Sequence, residues 1–271
     1  KTVNRGLNRA VDSPRQPGST MKPIGVYVQA IESGDITNST VIKDKPLDNY
    51  KDGKKGPREW YGEYAGNMTV ATAIERSANT IPCWILRDDL GIQTSYDFLT
   101  QKLKFKHLNE VDKNLSSLAL GGCQYGITTT ESAAAYAIFG NGGIYHEPKT
   151  YEKVLDVNDQ LILDTSLGER VIKETTATIM NRLLQNVVYG SQGPGGGIGS
   201  YSKMRAYAKT GTSSESKDLW MVAGTPYYVG SVWYGFDQPE NVWNASAAAR
   251  VWRDTIVSIR SISICRELTI C

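Results

Sequence analysis

Residues 17–34, PGSTMKPIGVYVQAIESG, decide how the chain is read, and within them Ser19 and Lys22. Pro17-Gly18 closes an irregular approach, and Ser19 stands where a helix would begin. Ile24, Val28 and Ile31 then recur at helical spacing, and Gly34 supplies a stop. Positions i and i+3 share a helix face, so the Lys22 amine is expected within reach of the Ser19 hydroxyl. A hydroxyl at a helix start beside an amine has the makings of an activated nucleophile. The unpaired backbone N–H groups of a first helical turn can hold developing negative charge. Pro23 lacks an N–H, which costs little so early in a helix. Ser-x-x-Lys alone carries little information, since the chain holds it as Ser19/Lys22, Ser200/Lys203 and Ser214/Lys217. The latter two fall in Gly/Ser-rich stretches with no helix-start pattern and read as loop residues.

The bulk of the chain narrows the chemistry. At 271 residues it forms one large domain or two small ones, and its 40% hydrophobic and 21% charged content is ordinary for a globular protein. The net charge of +2, from 30 basic and 28 acidic residues, argues against a nucleic-acid surface. The densest basic run, KDGKKGPR at 51–58, reads as a solvated loop. Fifteen Tyr and six Trp against four Phe suit a polar cleft. Cys83, Cys123, Cys265 and Cys271 form no C-x-x-C pair, and the only histidines, His107 and His146, lie far apart. No metal or cofactor site is expected, and a serine nucleophile would need a base other than imidazole. No apolar run approaches the roughly 18–20 residues that cross a bilayer. No signal peptide heads the chain, whose opening KTVNRGLNRAVDS reads as the middle of a longer protein.

Working outward, residues 35–68 show no sustained period and read as a long surface excursion. Helical pattern resumes at TVATAIERSANTIPCWILRDDLG. Val70, Ala73, Ile74 and Ser77 share a face there, Asn79-Thr80-Ile81-Pro82 interrupts, and a second piece runs to Gly91. TSYDFLTQKLKF (94–105) fits a short amphipathic helix, and LNEVDKNLSSLALGGCQYGITTTE reads as loop. TTTESAAAYAIFGNGG (128–143) is a small-residue helix, and 150–163 a hairpin around Val157-Asn158-Asp159. Residues 173–190 form an amphipathic helix with Ile179, Met180, Leu183, Leu184, Val187 and Val188 on its apolar face. GSQGPGGGIGS (190–200) lacks the Gly-Lys-Ser/Thr ending of a phosphate loop and reads as a flexible connection. RAYAKTGTS, DLWMVAGT and YYVGSVWYGF switch to period two and predict three strands, the last two joined at Thr225-Pro226; a helix over 242–261 closes the chain. The fold class is α+β: a mostly helical portion over 35–189, then C-terminal strands and a closing helix over 200–261.

Three motifs occur in order: Ser19-Thr-Met-Lys22 at a helix start, Ser77-Ala-Asn79 in a helix break, and Lys209-Thr210-Gly211 on a strand. With the blocks LNRAVDSPRQPGSTMKPI, GNMTVATAIERSANTIP, GITTTESAAAYAIFGNGG, AKTGT and DLWMVAGTPYYVGSVWYGF, the chain resembles, nearly end to end, the transpeptidase domain of class A (bifunctional) penicillin-binding proteins. The resemblance implies the penicillin-binding-protein/β-lactamase-like fold, an antiparallel sheet flanked by helices plus an all-helical subdomain. It implies that Ser19 attacks the penultimate D-alanine of a peptidoglycan stem peptide and that a second stem takes the acyl group. Lys22 would be the base if burial and the Lys209 charge keep it neutral, with Ser77 as proton shuttle. Asn79 would hold the substrate backbone, Lys209, Thr210 and Thr212 its terminal carboxylate, and Gly211 would let substrate lie against the strand. Backbone N–H groups of Ser19 and Thr212 would form the oxyanion hole. β-Lactam antibiotics would acylate the same serine, at the extracytoplasmic face of a bacterial cell membrane reached through an upstream anchor. Trp220 and Trp233 read as core or groove walls, and Cys123 as a free buried thiol.

The family's sheet begins with a helix and two strands ahead of LNRAVDS, and this chain contains no stretch that could supply them. A companion N-terminal segment is therefore expected to cover an otherwise open sheet edge. The tail SISICRELTIC fits no family pattern. A class A β-lactamase would need a Glu in an E-x-x-L-N-type loop, and none of Asp88, Asp89, Asp97, Glu110, Asp112, Glu131 and Glu147 has that context. A non-catalytic penicillin-sensing domain shares the motifs and stays open as an alternative.

Overall fold

The computed structural model describes residues 6–164, 167–198 and 204–268, with side chains through residue 259. After a short helix α1 (Arg9–Asp12), residues 18–33 form a single helical run. It starts as a tight 3-10 turn (Gly18–Thr20), widens into a π-helical segment (Pro23–Tyr27) and ends as α2 (Val28–Ser33). Gly34 closes it in the left-handed conformation at φ 89°, as its place after the last apolar residue implies. Every residue from Thr20 to Ala30 is buried. A helix covered all round is a central element and not a surface one. Inside the widened segment, Gln29 Nε2 donates to the carbonyls of Ile24 (3.0 Å) and Gly25 (2.9 Å), and Ser95 Oγ donates to Gly25 O (2.6 Å). These bonds satisfy backbone groups that have no access to water.

The excursion over 35–68 is not structureless. β1 (Val41–Asp44) pairs antiparallel with β4 (Gly66–Thr69), and β2 (Leu47–Lys51) with β3 (Lys54–Gly56). A buried carboxylate gathers it: Asp44 accepts from Thr80 Oγ1 (2.6 Å), Tyr61 OH (2.8 Å) and the Ala65 N–H (2.8 Å). Hydrogen bonding of this kind leaves no hydrophobic period, which is why the pattern did not show it.

α3 (Val70–Arg76) is capped by Thr69, whose Oγ1 accepts from Thr72 N, and α4 (Thr80–Ile85) follows. The break falls at Ser77–Asn79, earlier than the pattern placed it. Pro82 sits in the first turn of α4, where no helical partner is needed for its missing N–H. α5 (Ile92–Asp97) runs on through a π-helical turn to Lys102. The stretch read as loop contains α6 (Leu115–Leu120), capped by Asn114 and stopped by Gly121 at φ 73°. α7 (Thr129–Ala137) opens on a Thr128/Glu131 capping box. β5 (Ile144–Tyr145) pairs with β8 (Glu169–Arg170), while β6 (Lys153–Leu155) and β7 (Leu161–Asp164) form the expected hairpin. α8 (Glu174–Tyr189) buries Met180, Leu183, Leu184, Val187 and Val188. Ile179 instead faces solvent, and Thr176 and Ala177 complete the inner face.

β9 (Tyr207–Thr212), β10 (Asp218–Gly224) and β11 (Val229–Gly235) form an antiparallel sheet in the order β11-β10-β9. α9 (Ala247–Leu268) begins later than residue 242, behind a turn. Both faces of β10 are covered. Leu219, Met221 and Ala223 pack with Ala248 and Trp252 of α9, and Trp220 and Val222 join the core around the central helix. Lys209 pairs with Val222 across the strands and so faces the central helix. Among the described residues β11 pairs only with β10, leaving its outer edge open.

Candidate active site

Glycines set the position of Ser19. Gly18 has φ 54°, and a Cβ there would overlap the backbone of Thr212 on β9. A Cβ on Gly121, after α6, would overlap the backbone of Gly18. The turn carrying Ser19 is thus held between β9 on one side and the end of α6 on the other, backbone against backbone. A Cβ on Gly211 would overlap the Pro17 carbonyl and crowd Thr20, so the bare backbone there lets β9 pack directly against the serine turn. Trp220, buried as expected, donates its indole N–H to Gln16 O (2.8 Å), and Gln16 Nε2 donates to Cys123 O (2.8 Å). Tyr136 OH donates to Thr20 O at 2.8 Å. Cys123 is a free buried thiol, also as read. Trp233 is half-buried, its indole N–H on Asp218 Oδ1 (2.8 Å) and its ring under the Arg15 guanidinium (4.7 Å).

Lys22 and Lys209 are each 1% exposed, and Ser77 lies between them. Lys209 Nζ donates to Ser77 Oγ (2.7 Å) and Thr210 O (3.0 Å). Lys22 Nζ donates to Ser77 O (2.7 Å), Ser77 Oγ (3.3 Å) and Asn79 Oδ1 (2.6 Å). Helical spacing pointed Lys22 at Ser19; the amine turns instead to the 77–79 turn, where three acceptors match its three N–H groups. Ser19 Oγ has no hydrogen-bond partner among the described residues. Ser77 holds φ 58°, a left-handed conformation unusual for serine, and both lysines bind it there.

Burial draws Lys22 down to about 8, against the opposing pull of the Glu59 carboxylate and Cys83. Lys209 falls well below the ordinary lysine range, through burial and then through the positive charge of Lys22. The expected repulsion between the two amines is present, and Lys209 is the one it lowers.

Two cavities meet at Ser19. The larger, about 480 Å³, is lined by Ser19, Trp60, Ser77, Asn79, Thr210 and Thr212 among others. The second, about 250 Å³, adds Tyr50, Ser116 and Gly121. Among the described residues no carboxylate lines either one. Of the other Ser-x-x-Lys matches, Ser214 lies in the turn between β9 and β10 with Lys217 paired to Glu215 (2.6 Å), and Ser200/Lys203 lies outside the described residues. Glu59 and Trp60 sit in an unpatterned polar stretch, and neither periodicity nor motif points to them. Among the described residues no helix is long and apolar enough to cross a membrane.

The chain is similar to proteins of a known family. The family described as "Penicillin binding protein transpeptidase domain" matches residues 2–254. Penicillin-binding protein 1A of Clostridium acetobutylicum is 37% identical over 90% of this chain and 31% of its own length. Penicillin-binding protein 1F of Bacillus subtilis is 33% identical over 88% of this chain and 32% of its own. The chain therefore spans about a third of the curated relatives it matches. Among solved structures, penicillin-binding protein 1A of Haemophilus influenzae aligns with TM-score 0.78 and 27% identity over 93% of this chain and 43% of that one. The PonA1 protein of Mycobacterium tuberculosis in complex with penicillin V aligns with TM-score 0.74 and 26% identity, over 93% of this chain and 71% of that one. The family match spans the serine turn, the buried lysine pair and the sheet together, and the chain belongs to the transpeptidase domains of class A penicillin-binding proteins.

Proposed function

We propose that the domain is a serine-type D,D-transpeptidase that cross-links peptidoglycan stem peptides ending in D-Ala-D-Ala. The observation that carries this reading is an accessible serine set above two buried lysines bridged by Ser77. In the proposed reaction Ser19 Oγ attacks the carbonyl of the penultimate D-alanine and passes its proton to neutral Lys22. The tetrahedral oxyanion is held by the backbone N–H groups of Ser19 and Thr212, whose chains the Gly18 contact brings together. Collapse breaks the peptide bond, and the departing D-alanine amine takes a proton through Ser77. An amine of a second stem then attacks the Ser19 ester, releasing the serine hydroxyl and forming the cross-link. The Thr210 and Thr212 hydroxyls receive the terminal carboxylate, with the Lys209 amine beneath them, and Asn79 at the cavity wall takes the substrate backbone. A β-lactam opens on the same serine but keeps its leaving group attached. With no carboxylate among the described residues of either cavity to activate water, its ester should persist, unlike that of a β-lactamase.

Acylation by a fluorescent penicillin tests this through its pH dependence. Neutral Lys22 is the base, so the rate should climb with pH and level off above about 8; at pH 7 about a tenth of Lys22 is neutral. A rate that is flat or falls between pH 6 and 8 counts against Lys22 as base. Release within seconds would favour a β-lactamase, and labelling without cross-linking of a peptidoglycan precursor a penicillin sensor.

The open edge of β11 supports a companion segment of the whole protein pairing there, as the domain works at the extracytoplasmic face of the bacterial membrane. Amide exchange at 229–235 should then be slower in the full-length protein than in this chain, and equal rates would exclude the pairing.

A further inference from the structure

Behind Lys22 lies a carboxylate that the acyl transfer described above leaves unused. Glu59, between β3 and β4, is 6% exposed. Its oxygens accept from the Asn79 N–H (2.8 Å to each) and the Thr80 N–H (2.7 Å). The adjacent Arg58 carbonyl accepts from Asn79 Nδ2 at 2.7 Å. Residues 58 and 59 thus grip Asn79 at its backbone and at its amide. The Asn79 oxygen that remains is the one that takes the Lys22 amine at 2.6 Å. Asn79 opens α4 without capping it through its own side chain, so Glu59 also supplies the acceptor that the first turn lacks. Every hydrogen bond Glu59 makes is an accepted one, the pattern of an ionised carboxylate.

The groups around this carboxylate come from several elements. Asp44 approaches from β1, Tyr61 from the same loop, Tyr27 from the central helix and Cys83 from α4. Arg76 stacks over the Tyr61 ring at 4.0 Å, and Lys209 faces Lys22 across Ser77. Burial pushes Tyr27, Tyr61 and Cys83 upward, so these three stay neutral beside Glu59. Burial raises Glu59 as well, opposed by the Asn79 and Thr80 N–H donors and by the Lys22 charge.

The geometry points to Glu59 as a positioning residue of this site: it fixes Asn79 against Lys22, and its charge governs how readily Lys22 releases a proton to become the base for Ser19. This rests on the acyl-transfer reading of Ser19 and Lys22. It separates two effects of one side chain, a clamp on the 77–79 turn and a countercharge that retains the lysine proton.

Glu59→Gln and Glu59→Asp test the two effects against the wild-type domain, with penicillin acylation followed from pH 5.5 to 9.5. Gln keeps the shape and removes the charge. Its acidic limb should move to lower pH by about one unit, so that the rate at pH 6.5, relative to its own plateau, rises up to about tenfold. Asp keeps the charge but shortens the reach. Its plateau should fall while the limb stays in place. In lysine-¹⁵N-labelled Ser19→Ala protein, the Lys22 amine should titrate at lower pH when Glu59→Gln is added. An unmoved limb and an unmoved titration in Glu59→Gln overturn the countercharge, and an Asp variant indistinguishable from wild type overturns the clamp. A wild-type domain that takes no label removes the acyl-transfer reading instead, and the Lys22 titration then still reports on Glu59 alone.

Discussion

Ser19→Ala is expected to abolish labelling by a fluorescent penicillin, a loss of roughly 10⁵–10⁶-fold in rate that places it below detection. The Ser77 hydroxyl is not expected to take over. Ser77 also lines the large cavity, but its Oγ is engaged by both lysine amines and its backbone is fixed in the left-handed region. Ser19 Oγ, by contrast, is without a partner and stands at the junction of the two cavities. The variant should fold as the wild type does, because a partly exposed hydroxyl with no hydrogen-bond partner among the described residues contributes little to stability. Gel fluorescence of the two proteins side by side decides it. Labelling retained in Ser19→Ala would remove Ser19 as the nucleophile.

Lys22→Met should separate stability from activity. Below the folded midpoint of about 8, keeping a proton on buried Lys22 opposes folding by about 3 kcal/mol, since the same amine titrates at 10.5 when exposed. That cost is complete at neutral pH and fades as pH rises toward 10.5. Methionine fills nearly the same volume without charge, but it leaves Ser77 O and Asn79 Oδ1 without their donor, at about 1–3 kcal/mol. The two effects nearly cancel, so the melting temperature should shift by only a few degrees. Acylation should nevertheless drop by about 10²–10⁴-fold, the ordinary worth of a positioned base. A collapsed melting temperature, or acylation within tenfold of wild type, would contradict this account.

What could be read from the sequence followed its periodicity. β9, β10 and β11 announced themselves by alternation, α8 by its apolar stripe, and the central helix by Pro17-Gly18 at its start and Gly34 at its end. The motif order brought Ser19, Lys22, Ser77, Asn79 and Lys209 onto one list, and the fold brings them to one cavity or directly beneath it. Spacing could not give the direction of the Lys22 amine, because a long side chain on a helix goes where acceptors are, and these came from a different segment. Nor could it show α6, whose start depends on a cap by Asn114 and whose end depends on Gly121. The small sheets of 41–69 and the hold of Glu59 on Asn79 arise from buried carboxylates meeting backbone N–H groups. Such contacts join residues distant in the chain and leave no local rhythm.

The junction of Gly18, Gly121 and Thr212 constrains how this site can change over time. Where two backbones touch, there is no side chain to trim or enlarge, so a substitution at these glycines can only push the walls apart. The walls are β9 and the end of α6, and the same displacement that admitted a new side chain would carry Thr210 and Thr212 away from Ser19. The rim is different: Trp60 and Tyr50 border the cavities with side chains that can be exchanged without moving the main chain. Change in this site therefore has room at the entrance and almost none at Ser19.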